Sequence, residues 1–186
     1  PYHRTPNWRK PYPAQEGEQL KVLVNRAKEN NVIFYWAIHP GQDIRWNEED
    51  RSLLLQKFES MYQLGVRGFA VFFDDISGEG TKADKQAELL NYIDDHFVKV
   101  KRDVAPLILC PTEYNKSWTD VEGGYLTTLG DKLNEGIKVM WTGDMVVATI
   151  DKSTLDFVNP LLKRKAYIWW NFPVSDYVQD HLLLGP

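Results

Sequence analysis

The sequence predicts an α/β fold in which parallel strands are joined by helices. Its 186 residues alternate between short, continuously apolar runs and longer segments with an amphipathic pattern. A strand that is apolar on both faces suits the interior of a parallel sheet, because helices cover both sides of such a sheet. The alternation therefore indicates successive βα units. Two architectures accommodate them: an open, doubly wound sheet and a (β/α)8 barrel.

Five apolar runs are predicted as the strands: 32–38, 68–73, 105–110, 137–141 and 166–170. No glycine-rich dinucleotide fingerprint follows the first of them, although that motif is typical of many doubly wound sheets. A complete (β/α)8 barrel needs about 250 residues, so five units would form an incomplete one. The periodicity alone leaves the two architectures open.

The segments between the predicted strands carry helix signals. The second helix is the clearest, because Asn47 can cap its N-terminus and Gly65 can take the left-handed conformation that ends a helix. Apolar residues at helical spacing predict the buried faces of the first three helices: Leu20, Leu23, Val24 and Ala27; Leu54, Phe58 and Met61; and Leu90, Ile93, Phe97 and Val100.

Composition excludes several classes of protein. The net charge is -4 and no long run of one sign occurs, whereas a nucleic-acid surface needs clustered Lys and Arg. The longest apolar runs are far shorter than the roughly 20 residues of a membrane span. Cys110 is the single cysteine, so no internal disulfide forms. We therefore expect a globular chain with no nucleic-acid partner and no membrane span.

Polar, reactive side chains follow each predicted strand. These groups are 39–43 (HPGQD); Asp74 and Asp75; Glu113, Tyr114, Asn115 and Trp118; Thr142, Gly143 and Asp144; and Asn171 with Asp176. In parallel α/β folds, functional residues gather at the carboxyl ends of the strands. The sequence therefore predicts an active site built from the loops that follow the strands.

Asp74 and Asp75 are the most informative of these residues. Adjacent carboxylates repel each other unless a substrate group, a metal ion or a shared proton compensates. Neighbours in a regular strand point to opposite faces, so both acids reach one pocket only where the strand has ended or kinked. A turn or helix-cap role is the structural alternative. A metal site is another, but there is no D-x-D spacing and the histidines are scattered, so we expect no metal and no cofactor.

The segment 69–81, FAVFFDDISGEGT, resembles the catalytic signature of family 84 glycoside hydrolases, the O-GlcNAcase-type β-N-acetylglucosaminidases. The segments 36–44, 110–118, 125–134, 140–144 and 167–186 are also similar to bacterial members, especially those of the Bacteroides type. The resemblance implies a (β/α)8 TIM-type barrel, of which this chain covers about five βα units. Residues 1–186 would then be the central part of one catalytic barrel domain, incomplete at both ends, and poorly active or inactive in isolation.

The resemblance also implies a reaction. The family releases β-linked N-acetylglucosamine with retention, using the substrate's own acetamido carbonyl as nucleophile and passing through an oxazoline. Asp74 would orient and polarise the acetamido N–H. Asp75 would protonate the leaving oxygen and then act as general base for water. The expected partner is a glycan or glycoprotein that carries N-acetylglucosamine, and the expected location is periplasmic or secreted.

Eight further residues are implied to bind the substrate. Tyr114 would donate a hydrogen bond to the acetamido oxygen as charge develops there. The others would line the acetyl pocket (Cys110, Thr142 and Trp169), hold the ring hydroxyls (Asn171 and Asp176) or face the aglycone (Trp118 and Val146). Cys110 is expected to line this pocket rather than act as a nucleophile, because no base or electropositive setting is evident for it. Asp144 receives no role.

Two other functions stay open on the sequence. One is a non-catalytic module that binds N-acetylglucosamine in the same pocket. The other is a related hexosaminidase with a different specificity, such as hyaluronan cleavage. The retained acid pair argues against the binding module. Turnover of an aryl β-N-acetylglucosaminide would separate an enzyme from a module that only binds the sugar.

Overall fold

The computed structural model describes residues 6–171. Its centre is a five-stranded parallel sheet made of β1 (Tyr35–Ile38), β2 (Gly68–Phe72), β3 (Ile108–Cys110), β4 (Lys138–Trp141) and β5 (Tyr167–Ile168). The spatial order β1-β2-β3-β4-β5 follows the chain. A doubly wound sheet reverses its strand order at a switch point, and these five strands show no reversal. The sheet therefore has the sequential order of a (β/α)8 barrel.

A helix follows or precedes each strand as the alternation predicts. The helices are α1 (Ala14–Glu29), α2 (Glu48–Gln63), α3 (Ala83–Ile93), α4 (Tyr125–Lys132) and α5 (Lys152–Leu162). Short 3₁₀ segments occupy Pro6–Arg9, Gly78–Thr81 and Lys116–Trp118, and a π-helical turn, Asp94–Val98, extends α3. Within residues 6–171, every helix is too short or too polar to cross a membrane.

The second helix forms as its end signals predict. The Asn47 side chain accepts a hydrogen bond from the backbone N–H of Asp50, which satisfies one of the free donors at the start of α2. Gly65 follows the helix with a φ of 102°. Leu54, Phe58 and Met61 are buried, so the predicted inner face is confirmed.

An aromatic cluster joins α2 to the sheet. The Phe58 ring stacks on Phe69 of β2 with centroids 5.0 Å apart. Phe97 and Trp36 meet Phe69 edge-on, at 5.0 and 6.2 Å. Such pairs add about 0.5–1.5 kcal/mol each to the free energy of apolar burial. This cluster fixes α2 and the π-helical turn against β1 and β2.

Parts of the predicted pattern are wrong. Leu23 is 54% exposed, and Val24 is the one buried residue of α1. Val100 is 64% exposed, since the π-helical turn after α3 shifts the helical phase. The first strand begins at Tyr35 rather than at residue 32, because Asn31 takes a left-handed φ of 58° and delays the extended chain. β5 is only two residues long.

Candidate active site

The acids lie in a turn, residues 73–75, which we call the acid turn. β2 ends at Phe72, and Asp75 has a left-handed φ of 52°. Aspartate tolerates this region better than most residues, but it is still sparsely populated. The strand has therefore ended before the pair, and the two-residue alternation that would place neighbouring side chains on opposite faces no longer applies.

Three side chains hold the backbone of the acid turn. Its successive carbonyl oxygens accept hydrogen bonds from Thr112 Oγ1 at 2.9 Å, from the His39 ring at 2.8 Å and from Gln42 Nε2 at 3.3 Å. A carbonyl only accepts, so Nε2 is the protonated nitrogen of His39. Thr112 follows β3, whereas His39 and Gln42 follow β1. The two neighbouring strands thus hold the turn from both sides.

Asp74 carries a buried acceptor without a donor. Its side chain is 21% exposed, and Oδ1 lies 3.6 Å from His39 Nε2. Among the described residues, none donates a hydrogen bond to this oxygen. A buried acceptor that is left unsatisfied costs about 1–3 kcal/mol. Asp74 Oδ1 is therefore an unsatisfied acceptor within the acid turn.

Asp75 is more exposed and contacts a tyrosine. Tyr114 OH donates a hydrogen bond to Asp75 Oδ1 at 3.2 Å. Burial raises the pKa of Tyr114 well above its usual value, and the charge of Asp75 raises it further. The phenol therefore stays protonated across the physiological range and remains a hydrogen-bond donor.

Cys110 ends β3 and is fully buried next to the acids. Burial raises the pKa of its thiol well above the usual range, and the nearby charges of Asp74 and Asp75 raise it further. The thiolate is the nucleophilic form of cysteine. The site thus keeps Cys110 as a neutral thiol that lines the site beside Asp74.

The end of β4 is tied to the loop that carries Tyr114. The backbone N–H of Thr142 donates to the Tyr114 carbonyl at 2.9 Å, and its hydroxyl donates to the Met145 carbonyl at 2.9 Å. Thr142 is fully buried. Its hydroxyl is therefore engaged within the protein, which leaves the rest of the side chain as lining.

Two tryptophans flank Tyr114. The Trp118 ring meets it edge-on at 4.9 Å, and the Trp169 ring lies tilted at 5.4 Å. Trp118 is 48% exposed. Asn171 Nδ2 donates to the Val146 carbonyl at 3.3 Å. The structure thus groups Tyr114 with both tryptophans and Asn171 with Val146, while Asp176 lies outside the described residues.

Sequence reasoning gave no role to the residues that hold the acid turn. His39 and Gln42 were placed at the strand ends without a function, and Thr112 was missed. A polar residue two positions after a buried strand was the available signal for Thr112. Within residues 6–171, the structure contains no group of three or more His, Cys, Asp or Glu side chains with the spacing of a metal site.

Asp144 and Glu113 lie in the loops around the site. The Asp144 carbonyl accepts a hydrogen bond from Ser117 N at 3.0 Å, so its backbone joins the loops after β3 and β4. Glu113 Oε2 accepts from Asp120 N at 3.2 Å. Burial raises the pKa of Glu113 to about 7, and the charge of Asp120 contributes to that increase.

Comparison with known proteins assigns a family to this geometry. The family model described as beta-N-acetylglucosaminidase matches residues 1–186. The protein O-GlcNAcases of Rattus norvegicus and Mus musculus are each 36% identical over 189 aligned residues, which cover 96% of this chain. A solved structure described as CpGH84B is 40% identical, with a TM-score of 0.87 over 95% of this chain.

The chain spans 21% of the length of those two relatives and 32% of the matched structure. The resemblance to family 84 is confirmed, and the fold class is α/β, with five βα units of a TIM-type barrel. The name of both relatives, protein O-GlcNAcase, is that of a glycoside hydrolase. The chain therefore belongs to the β-N-acetylglucosaminidase family of glycoside hydrolases.

Proposed function

We propose that the protein containing this chain is a retaining β-N-acetylglucosaminidase that removes β-linked N-acetylglucosamine from glycoproteins or glycans. Family membership supports the reaction class. The observation that carries the mechanism is the buried Oδ1 of Asp74, which has no donor among the described residues and lies beside a second carboxylate. A 2-acetamido group brings an N–H donor and a nucleophilic oxygen in one unit.

Asp74 serves the acetamido group in this proposal. Its unsatisfied oxygen accepts the acetamido N–H and so replaces a missing hydrogen bond. A negative charge at that N–H increases electron density on the acetamido oxygen, which is the attacking atom. That attack explains why two acids can be neighbours: neither of them forms a bond to carbon, so the separation used in two-carboxylate glycosidases is not required.

Asp75 serves the leaving group. In the first step its proton moves to the glycosidic oxygen, the C1–O bond breaks, and the acetamido oxygen bonds to C1 to give a protonated oxazoline whose N–H stays hydrogen-bonded to Asp74. In the second step Asp75 takes a proton from water, the hydroxide bonds to C1, and the oxazoline ring opens. Tyr114 remains protonated, and its hydroxyl donates to Asp75 Oδ1 at 3.2 Å in this structure. In the reaction this hydroxyl would turn from Asp75 to the acetamido oxygen and stabilise the charge that develops there.

The remaining contacts of the substrate are assigned from the family resemblance, and the grouping of the aromatic side chains supports part of them. Tyr114, Trp118 and Trp169 form an aromatic wall, which suits the apolar face and methyl group of the sugar. We assign the acetyl pocket to Cys110, Thr142 and Trp169, the ring hydroxyls to Asn171 and Asp176, and the aglycone side to Trp118 and Val146. Residues 1–186 are proposed to be the central part of a single catalytic barrel.

The test uses the protein at its full natural length and an aryl β-N-acetylglucosaminide. Hydrolysis with the β-anomer as the first product, followed by proton NMR, is the expected result. Binding of the sugar without turnover would contradict the proposal and support a binding module. Turnover of hyaluronan in preference to the aryl glycoside would instead indicate the related hexosaminidase specificity.

A further inference from the structure

We propose that Gln86, Thr112 and Tyr125, which we call the inner network, position the acid turn for catalysis without touching the substrate. This inference rests on the proposed function. Gln86 belongs to α3, Thr112 follows β3, and Tyr125 begins α4. The three residues therefore connect the outer helices to the backbone that carries the two acids.

The inner network is a continuous chain of hydrogen bonds. Tyr125 OH donates to Gln86 Oε1, and Gln86 Nε2 donates to Thr112 Oγ1 at 3.0 Å. Thr112 Oγ1 then donates to the carbonyl of Phe73, directly before Asp74, at 2.9 Å. The Thr112 backbone N–H donates back to Tyr125 OH at 2.8 Å. The side-chain donors of Tyr125, Gln86 and Thr112 thus run in order towards the acid turn, and the Thr112 N–H closes the ring of hydrogen bonds.

The directions in this chain are fixed by chemistry. Gln86 Nε2 also donates to the Gly80 carbonyl at 2.8 Å, and a carbonyl can only accept, so the amide has one possible orientation. Gln86 is 0% exposed. Burial raises the pKa of Tyr125 above its usual value, so its hydroxyl stays a donor. A buried network with all its polar atoms satisfied is rigid and specifies one geometry.

Gln86 also holds the loop that follows the acid turn, through its hydrogen bond to the Gly80 carbonyl. A Cβ on Gly80 would lie 2.1 Å from the Gly41 carbonyl oxygen, so only glycine allows the two loops to approach this closely. The loop after β1 that contains Gly41 also supplies His39 and Gln42, which hold the other two carbonyls of the acid turn. Gln86 therefore acts on both sides of the turn.

A positioning role follows from the conformation of Asp75. A left-handed φ at a non-glycine residue persists only where the surroundings determine it strongly. Removing the Thr112 hydroxyl frees the Phe73 carbonyl and allows the turn to relax. A displacement of about 1 Å at a catalytic group can cost on the order of 10²-fold in rate. A variant without the Thr112 hydroxyl would keep both acids but lose their alignment.

The test compares one substitution at two buried threonines of the full-length protein. Thr112→Val removes the hydroxyl that holds the acid turn. Thr154→Val is the control. It removes a buried hydroxyl of α5 that accepts a hydrogen bond from the Trp141 indole N–H at 3.0 Å. We expect Thr112→Val to lower kcat by about 10-fold or more with KM nearly unchanged. Thr112→Ser restores kcat, and Thr154→Val lowers the Tm without lowering kcat.

Tyr125→Phe supplies a second variant if Thr112→Val fails to fold. It removes one donor of the inner network but keeps the aromatic ring, and we expect a smaller loss of kcat, again at constant KM. Equal kcat values for the Thr112 and Thr154 variants, in an active wild-type protein, would overturn the positioning role alone. A wild-type protein without glycosidase activity would overturn both the proposed function and this inference.

Discussion

The loops after β1 to β3 and the loops after β4 and β5 are built differently. In the first region, three side chains hold successive carbonyls of the acid turn, and a buried network supports one of them. In the second region, backbone hydrogen bonds of Thr142 and Asp144 tie the loop after β4 to the loop after β3. Asn171, the last described residue, contacts Val146 through a longer hydrogen bond of 3.3 Å. β5 is two residues long, and both of its side chains are exposed.

Under the proposed function, we expect the two regions to contribute differently to catalysis. Groups that transfer protons need fixed positions, because misalignment reduces the rate directly. Groups that recognise a sugar through stacking or a single hydrogen bond can be ordered by the ligand when it binds. We therefore expect changes in the first region to act mainly on kcat, and changes in the second region to act mainly on KM.

The largest effect is expected at the acids. Asp74→Asn and Asp75→Asn should each reduce kcat for a glycoside with a poor leaving group by roughly 10² or more, since each removes a charge or a proton needed in the transition state. Steady-state kinetics on the full-length protein provides the measurement. Turnover close to wild type in both variants would rule out the assignment of the acid pair.

A smaller loss is expected for Tyr114→Phe. The change keeps the ring between the two tryptophans but removes the hydroxyl that faces Asp75. We expect kcat to fall by about 10²-fold, the lower end of the loss that follows removal of one preorganised donor. Tyr62→Phe is a matched control, because that hydroxyl bonds to Asp103 on the exposed surface. A similar loss in both variants would show that the effect is not local.

Trp118→Ala tests a side chain that is expected to recognise the ligand by stacking. Trp118 is assigned to the aglycone side and its ring is half exposed, so its loss should raise KM for a glycopeptide by about 3- to 10-fold through lost aromatic contact. KM for a small aryl glycoside should change little. A fall in kcat without a change in KM would place Trp118 with the acid turn instead.

The smallest effect concerns stability rather than rate. The pKa of Glu113, raised by burial to about 7, lies above the 4.5 expected for an unfolded chain. Between these values the unfolded state releases the proton first, so the native state loses stability as the pH rises. Glu113→Gln should therefore melt higher than wild type at pH 8, with the difference shrinking towards pH 4. Calorimetry at several pH values tests this, and a constant difference would contradict it.

The sequence predicted the local features that depend on residue type and spacing. The cap at Asn47, the glycine after α2 and the inner face around Phe58 are all present. Each of these signals acts over a few residues, so it can be read without knowing the rest of the fold. The order of the strands could not be read in this way, because periodicity does not encode which strands pair.

The parts of the site that escaped prediction depend on distant contacts. Thr112 reaches Phe73 across 39 positions, and Gln86 reaches Thr112 across 26. The left-handed Asp75 likewise depends on the contacts around the turn, although aspartate tolerates this conformation better than most residues. The acid pair could be singled out from the motif, and its catalytic role stays a prediction, whereas the residues that hold the acid turn became visible only in three dimensions.

The most direct measurement is the dependence of kcat on the leaving group in the two acid variants of the full-length protein. A series of aryl β-N-acetylglucosaminides with phenols of increasing pKa provides the scale. Asp75→Asn should retain turnover of the most acidic phenols and lose it progressively, because a basic oxygen needs a proton to leave. Asp74→Asn should lose activity across the whole series, because attack by the acetamido oxygen is impaired for every substrate. The reverse pattern, or the same dependence in both variants, would contradict the assignment of the two carboxylates.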